Sequence, residues 1–239
     1  MKKLLFLFLL SAGINVTAQQ TKIISDANAK QRTINGTFTA VNVATGVQLY
    51  LTQGSEADLA VSVSDEKYSE RLKTEVVDGV LKIYVDYKGV SWVKDKNRKI
   101  KTYLSIKTLE GLTATSGADV ILVNSLAVTD FKMTVTSGAA VNGEIKASSL
   151  KIDQNSGSNI NISGTAANFK IEVSSGAHFK GYDFVAENCT AKVTSGAHAD
   201  ITITNTLEAS ANSGGKIQYK GNASVKNLRV NSGGSVKKG

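Results

Sequence analysis

The sequence predicts an all-β chain: a parallel β-helix (solenoid) with coils of about 19 residues, preceded by a strand-rich N-terminal half with one short helix. Three observations carry this. Ser-Gly recurs at Ser116-Gly117, Ser137-Gly138, Ser156-Gly157, Ser175-Gly176, Ser195-Gly196, Ser213-Gly214 and Ser232-Gly233, the serines 21, 19, 19, 20, 18 and 19 residues apart. Apolar residues stand at fixed offsets from every one of those serines. The 239 residues also include 21 glycines and no proline, together with alternating Val, Ile and Thr, a composition of short strands and tight turns rather than of a disordered linker.

The ladders follow from aligning the repeats. Four residues after each serine stand Val120, Val141, Ile160, Phe179, Ala199, Ile217 and Val236. Four before it stand Leu112, Met133, Ile152, Ile171, Ala191, Ala209 and Leu228. Two before it come Ala114, Val135, Gln154, Val173, Val193, Ala211 and Val230, where only Gln154 breaks the pattern. The intervening residues are mostly polar, so each side of the turn alternates with period two and has one buried face. That spacing excludes a helical-repeat solenoid, and stacked coils would repeat about every 4.8 Å.

The Ser-Gly pairs themselves read as corners. Glycine admits positive φ at a sharp turn, and the residue before the serine is always Thr, Asn or Ser. Ladders of such side chains are expected to satisfy corner backbone groups from coil to coil. A nucleophilic serine occurs once, beside a base; one that recurs seven times is architecture.

In the N-terminal half, Val47, Leu49 and Leu51 alternate with polar neighbours, and a Gln53-Gly54-Ser55 turn leads to Leu59, Val61 and Val63. Residues 65–72 (DEKYSERL) are the one plausible helix, opened by the capping residue Asp65. Asp78-Gly79 marks a hairpin before Leu81, Ile83 and Val85. A basic loop at residues 94–101 precedes a strand around Leu104 and Ile106.

Residues 1–18 have the pattern of a signal peptide: Lys2 and Lys3, an apolar run at 4–10, then Val16-Thr17-Ala18 as a cleavage site. The apolar run is too short to span a bilayer, and no later segment is long enough, so the processed chain is expected not to be membrane-spanning. The expected divisions are 1–18 signal peptide, 19–36 leader segment, 37–108 strand-rich part and 109–239 β-helix. Without Lys2 and Lys3, 26 basic residues face 20 acidic ones, a net charge of +6 that serves solubility. No nucleic-acid motif accompanies it, so no nucleic-acid partner is expected. Cys189, the single cysteine, falls in the row of Phe131, Leu150, Phe169 and Leu207 and is expected to be buried.

The segments VQLYLTQGSEADLAVSVSDE, LKTEVVDGVLKIYV and GLTATSGADV, in that order, resemble the head GIN domain family, also called auto-transporter adhesins. The similarity runs from about Phe38 to Val236, with Thr108 standing where relatives often carry proline. The resemblance implies an extracytoplasmic β-helical protein with an adhesive role, and it brings no catalytic residues with it.

Among side chains, His178 and His198 hold the same position on consecutive coils, in the row Asp119, Ala140, Asn159, His178, His198, Lys216, Ser235. With Asp200 or Asp183 they are the weak candidate for a metal site; no cofactor is expected. Asp119, Asp130, Glu144, Asp153 and Glu172 fall at different repeat positions, so no coil gathers the carboxylates that glycan cleavage needs. The reading is an exported, non-catalytic binding protein or adhesin in the periplasm or at the cell surface, with a glycan or a cell-surface protein as partner. The alternatives are a periplasmic structural or envelope-stress protein and, behind it, a glycan-cleaving enzyme. The last coil ends close to Val236, and Lys226, Arg229, Lys237 and Lys238 on it are expected to guard an open strand edge and favour a monomer.

Overall fold

The computed structural model describes residues 26–89 and 98–239. The expected signal peptide, its cleavage site, and residues 94–97 of the basic loop lie outside them. The described residues form a β-solenoid with strands β1 (Lys30–Arg32), β2 (Ala40–Val43), β3 (Gln48–Gln53), β4 (Asp58–Val63), β5 (Leu72–Val77), β6 (Val80–Val85), β7 (Ile100–Ile106), β8 (Gly111–Ala114) and β9 (Asp119–Leu122). The longer strands follow: β10 (Leu126–Val135), β11 (Ala140–Gln154), β12 (Asn159–Val173), β13 (His178–Val193) and β14 (His198–Ala211), then β15 (Lys216–Lys220), β16 (Ser224–Val230) and β17 (Ser235–Lys238).

Both residues of each corner, not glycine alone, are left-handed. Ser175 has φ 53° and Gly176 has φ 68°, and the other Ser-Gly pairs match them. With the Ala177 amide donating to the Ser174 carbonyl at 3.2 Å, this is a turn with positive φ at both central residues. The turn leaves the Ser-Gly peptide unit pointing along the solenoid axis. Gly117 N–H donates to Ser137 O at 3.0 Å, Gly138 to Ser156, Gly157 to Ser175, Gly176 to Ser195, Gly196 to Ser213 and Gly214 to Ser232. Corner backbone groups are therefore satisfied by backbone from the next coil. The expected side-chain ladder is confined to one pair of coils, where the Thr136 hydroxyl bonds Asn155 Oδ1.

Inside the coil, each apolar row is a parallel ladder. Phe131, Leu150, Phe169, Cys189 and Leu207 pair rung to rung, as do Val120, Val141, Ile160, Phe179, Ala199, Ile217 and Val236. In β12 the inward residues are Ile160, Ile162, Ala166, Phe169, Ile171 and Val173; alternation breaks near 164 and 167, where the strand bends around the core. Gly164 makes one bend possible: its φ is +115°, and a Cβ there would lie 2.0 Å from Ile145 O.

The strands of the N-terminal half continue the same stack. Thr45-Gly46 forms an equivalent corner (φ 60° and 71°), and Gly46 N–H donates to Ser116 O at 3.0 Å. β2 lies between β6 and β8, and β3 between β7 and β9, all parallel. The coil order in space is thus β6–β7, β2–β3, β8–β9, then the rest in sequence. Antiparallel strands cover the first coil: β5 pairs with β6, β4 with β7, and β1 with β4.

The segment linking β4 to β5 holds the one departure in element type. The helix expected at 65–72 is a single 3-10 turn, Glu66–Tyr68. Asp65 does cap it, accepting from the Lys67 amide at 3.1 Å. Leu72 already begins β5 and is buried opposite Val85, so strand pairing claims the residues a second turn would need. Tyr68 packs into the core from this turn, and Arg32 of β1 donates to Ser69 O and Leu72 O, tying the cap together.

These geometries set an order of sensitivity. Gly176→Ala meets no atom within 4 Å and costs only the left-handed backbone, about 1–2 kcal/mol. Gly164→Ala adds the collision with Ile145 and costs more, about 3 kcal/mol. Ser175→Asn is neutral or stabilising, because Asn tolerates positive φ. Urea melts of the three variants check the ranking, and a Gly176→Ala protein weaker than Gly164→Ala would refute it.

Candidate functional site

The most chemically varied concavity lies where the N-terminal coils meet the segment before β1. Leu49 and Leu51 of β3 face inward, so Tyr50 faces out; Thr102 and Leu104 do the same for Tyr103 of β7. The two tyrosines are direct ladder partners, which stacks their rings 5.1 Å apart at 18°. They line a groove of about 540 Å³ with Asp26, Ser62, Lys101 and Val123.

Hydrogen bonds fix its polar groups. The Tyr103 hydroxyl donates to Asp26 Oδ2 at 2.9 Å, and Lys101 Nζ lies 3.8 Å from the same oxygen. The Asn28 amide donates to Asp26 Oδ1 at 3.0 Å. The Tyr50 hydroxyl donates to Gln48 Oε1 at 3.1 Å, and Gln48 Nε2 donates to Asp119 Oδ2 at 3.0 Å. The Asn28 amide, with the Ser62 and Tyr103 hydroxyls, holds the Asp26 carboxyl below its ordinary range. Burial, then the hydrogen bond and charge of Asp26, push the Tyr103 phenol up to about 12. The groove therefore presents the Asp26 carboxylate and a neutral Tyr103 hydroxyl beside the side chains of Lys99 and Lys101. A second groove of about 640 Å³, beside β8 and β10, is lined by residues that include Glu110, Asp130, Phe131, Lys132 and Lys151.

The histidine row has the register expected for it: Asp119, Ala140, Asn159, His178, His198, Lys216 and Ser235 are successive rungs. The imidazoles of His178 and His198 are 5.9 Å apart, and His198 Nε2 lies 2.9 Å from Asp200 Oδ1. Lys216 occupies the rung beyond His198, putting an ammonium beside the pair. Among the described residues no three His, Cys, Asp or Glu side chains converge as a metal site would require.

The acids of the coils are dispersed into local ion pairs. Glu144 meets Lys146 at 3.1 Å, Asp153 meets Lys151 at 3.6 Å and Glu172 meets Lys170 at 3.6 Å, each across two positions of one outward strand face. The Ser-Gly serines project from the corners into solvent beside small neighbours, with no histidine in hydrogen-bond reach.

Sequence reasoning did not find the tyrosine groove. Its residues come from positions 26, 50 and 103, the two tyrosines separated by an excursion through three strands, β4, β5 and β6. The usable signal is that VQLYL and KTYLSI each place a tyrosine at the outward position next to an inward leucine.

A family model described as "Putative auto-transporter adhesin, head GIN domain" matches residues 37–223. The chain belongs to the head GIN domain family. Solved structures of similar shape include a putative adhesin from Bacteroides fragilis, 20% identical, with a TM-score of 0.75 over 88% of this chain and 95% of that one. A putative adhesin from Parabacteroides merdae scores 0.66 at 20% identity, over 88% and 95%. A putative lipid binding protein from Parabacteroides distasonis scores 0.62 at 19%, over 89% and 97%. At these identities the likeness is one of fold, and it runs over nearly the whole of each chain. No curated protein matches the sequence. No helix among the described residues of this head GIN protein is long and apolar enough to cross a membrane.

Two outcomes follow from the site chemistry. Cys189 is 3% exposed between the Phe169 and Leu207 rungs, and burial raises its thiol pKa, which suppresses the thiolate. A maleimide therefore labels it slowly in the native protein and completely in urea; fast native labelling would contradict the register. Tyr103, with its pKa raised in the folded state, stabilises fully below the ordinary tyrosine value of about 10. That contribution is lost as pH rises through about 12. Asp26→Asn brings the Tyr103 pKa down part of the way, because burial remains, and ultraviolet phenolate titration reads the shift.

Proposed function

We propose that this is an exported, non-catalytic adhesin-type protein that binds a glycan through the groove at Tyr50, Tyr103, Asp26 and Lys101. The observation that carries the reading is the groove itself: stacked tyrosines beside the Asp26 carboxylate and two lysines, Lys99 and Lys101, with Lys101 3.8 Å from Asp26. Sugars offer hydroxyls to a fixed carboxylate and to lysine side chains, and C–H groups to aromatic ring faces and apolar side chains such as Val123. Pre-formed polar groups are not reorganised on binding, which lowers the entropic cost. Among the described residues Asp26 is the only acid lining the groove, and no second carboxylate stands beside it there as glycoside hydrolysis needs. Membership of an adhesin-named family and the signal-like residues 1–18 support export.

Processed protein is to be tested on a glycan array and on intact cells. A binding glycan is expected to lose about ten-fold or more in affinity with Tyr50→Ala or Asp26→Asn, the size of an interface hot spot. Unchanged binding by both variants rejects the groove. Protease treatment of intact source cells is expected to remove the protein; full protection would place it inside the envelope and favour the structural alternative.

A further inference from the structure

We propose that the C-terminal end of the solenoid is a docking edge for an acidic, extended segment of a partner protein, which adds as a further strand beside β16. The two ends of the stack are built differently. The first coil carries an antiparallel strand on each of its two edges, whereas among the described residues β16 pairs only with β14 and β17 only with β15. The outer backbone groups of β16 and β17 are consequently free to pair.

The side chains at this edge are core residues without their next rung. Leu228 is 55% exposed and Val230 is 44% exposed, while Ala209 and Ala211, one rung inward in the same rows, are 3% and 0% exposed. A strand laid beside β16 with alternating apolar residues would cover both. Main-chain bonds then supply affinity and the apolar positions supply register.

Charge selects the kind of strand. After Glu208 the sequence contains no Asp or Glu, yet it carries Lys216, Lys220, Lys226, Arg229, Lys237 and Lys238. Lys226 is the extra residue at a register shift, between Val225 opposite Leu207 and Asn227 opposite Glu208. The column of corner peptides also ends here: Gly214 N–H bonds Ser232 O, and the next donor, Gly233 N–H, has no acceptor among the described residues. A second copy of this chain would bring the same cations to the same edge and be repelled. An acidic strand meets ammonium groups, a guanidinium and an unpaired N–H in one place.

The test uses capped eight-residue peptides, with binding followed by fluorescence anisotropy. Alternating Glu-Val peptide is expected to bind at least about ten-fold more tightly than the same composition in two blocks, and Lys-Val peptide not at all. Binding is expected to weaken with salt, to protect β16 amides from hydrogen exchange, and to fall about ten-fold in Leu228→Asp. Leu228 is exposed, so that variant is expected to keep the wild-type melting temperature. Replacing Lys226, Arg229, Lys237 and Lys238 by Gln removes the salt dependence. Equal binding of alternating and block peptides overturns strand addition. So does binding to phosphatidylglycerol vesicles that is indifferent to Leu228→Asp while the peptide is ignored, which would make the end a lipid surface. Wild-type dimers at low salt through β16 would make a second copy the occupant and overturn it as well. None of these outcomes involves Tyr50 or Asp26, so the groove reading stands or falls separately.

Discussion

The solenoid from the β2–β3 coil onward depends on one peptide unit repeated at the same place in each coil: the amide between the corner Ser (Thr45 in the β2–β3 coil) and Gly. Because both residues are left-handed, that amide lies along the axis and bonds the equivalent amide of the next coil. Within a strand, successive peptide groups point in opposite axial directions, so their dipoles cancel; at the corner, only one direction is used. The column running from Gly46 to Ser232 therefore works as a spine that fixes the rotation of each coil against the next. A slip of one residue at any corner would turn the inward rows outward. Tight registration is what allows rows such as Tyr103–Tyr50 or His178–His198 to exist at all.

The core tolerates one polar coil. Gln154 stands where neighbouring coils carry Val135 and Val173, and its amide donates to Ser158 O at 3.0 Å and His178 O at 2.8 Å. Ser158 replaces the corner alanine, and its single hydroxyl proton is shared between Val135 O at 2.9 Å and Asn155 O at 2.8 Å. Gln154 Oε1 is buried with no partner among the described residues, so the arrangement is less satisfied than the valine rows on either side. The outward rows face no such requirement, and chemistry can change there rung by rung without disturbing the fold.

Much of this was legible because a solenoid writes its structure locally. Each coil repeats the same apolar offsets, so the rung of Cys189 and the complete histidine row could be read from spacing alone. Three features could not. Thr45-Gly46 is a corner without serine, and 71 residues separate Thr45 from Ser116, so no period connects them. The left-handed conformation of serine itself is hidden, since the favoured residue there is Asn, and glycine alone is enough to account for a turn. The segment at 65–72 has helix-forming residues and a cap, but the pairing of Leu72 with Val85 is a tertiary fact that overrides local preference. The tyrosine groove was missed for the same reason, because Asp26 reaches it through β1 folding back along β4.

The coil order gives the molecule a direction of growth. The coil of β2 and β3 is sandwiched between two that arrive later in the chain, so it has no neighbour until residues 80–122 are in place. That part must assemble as a nucleus, closing several long loops at once. Past Ser116 each new coil needs only the edge already present and a loop of one repeat, as a growing filament adds subunits. The fold is therefore extensible in one direction only. A whole coil gained or lost between Ser137 and Ser232 would leave every remaining pairing intact, whereas the same change among the first three coils would dismantle the template. Relatives built on this plan can differ in length by entire repeats on one side while the opposite end stays fixed.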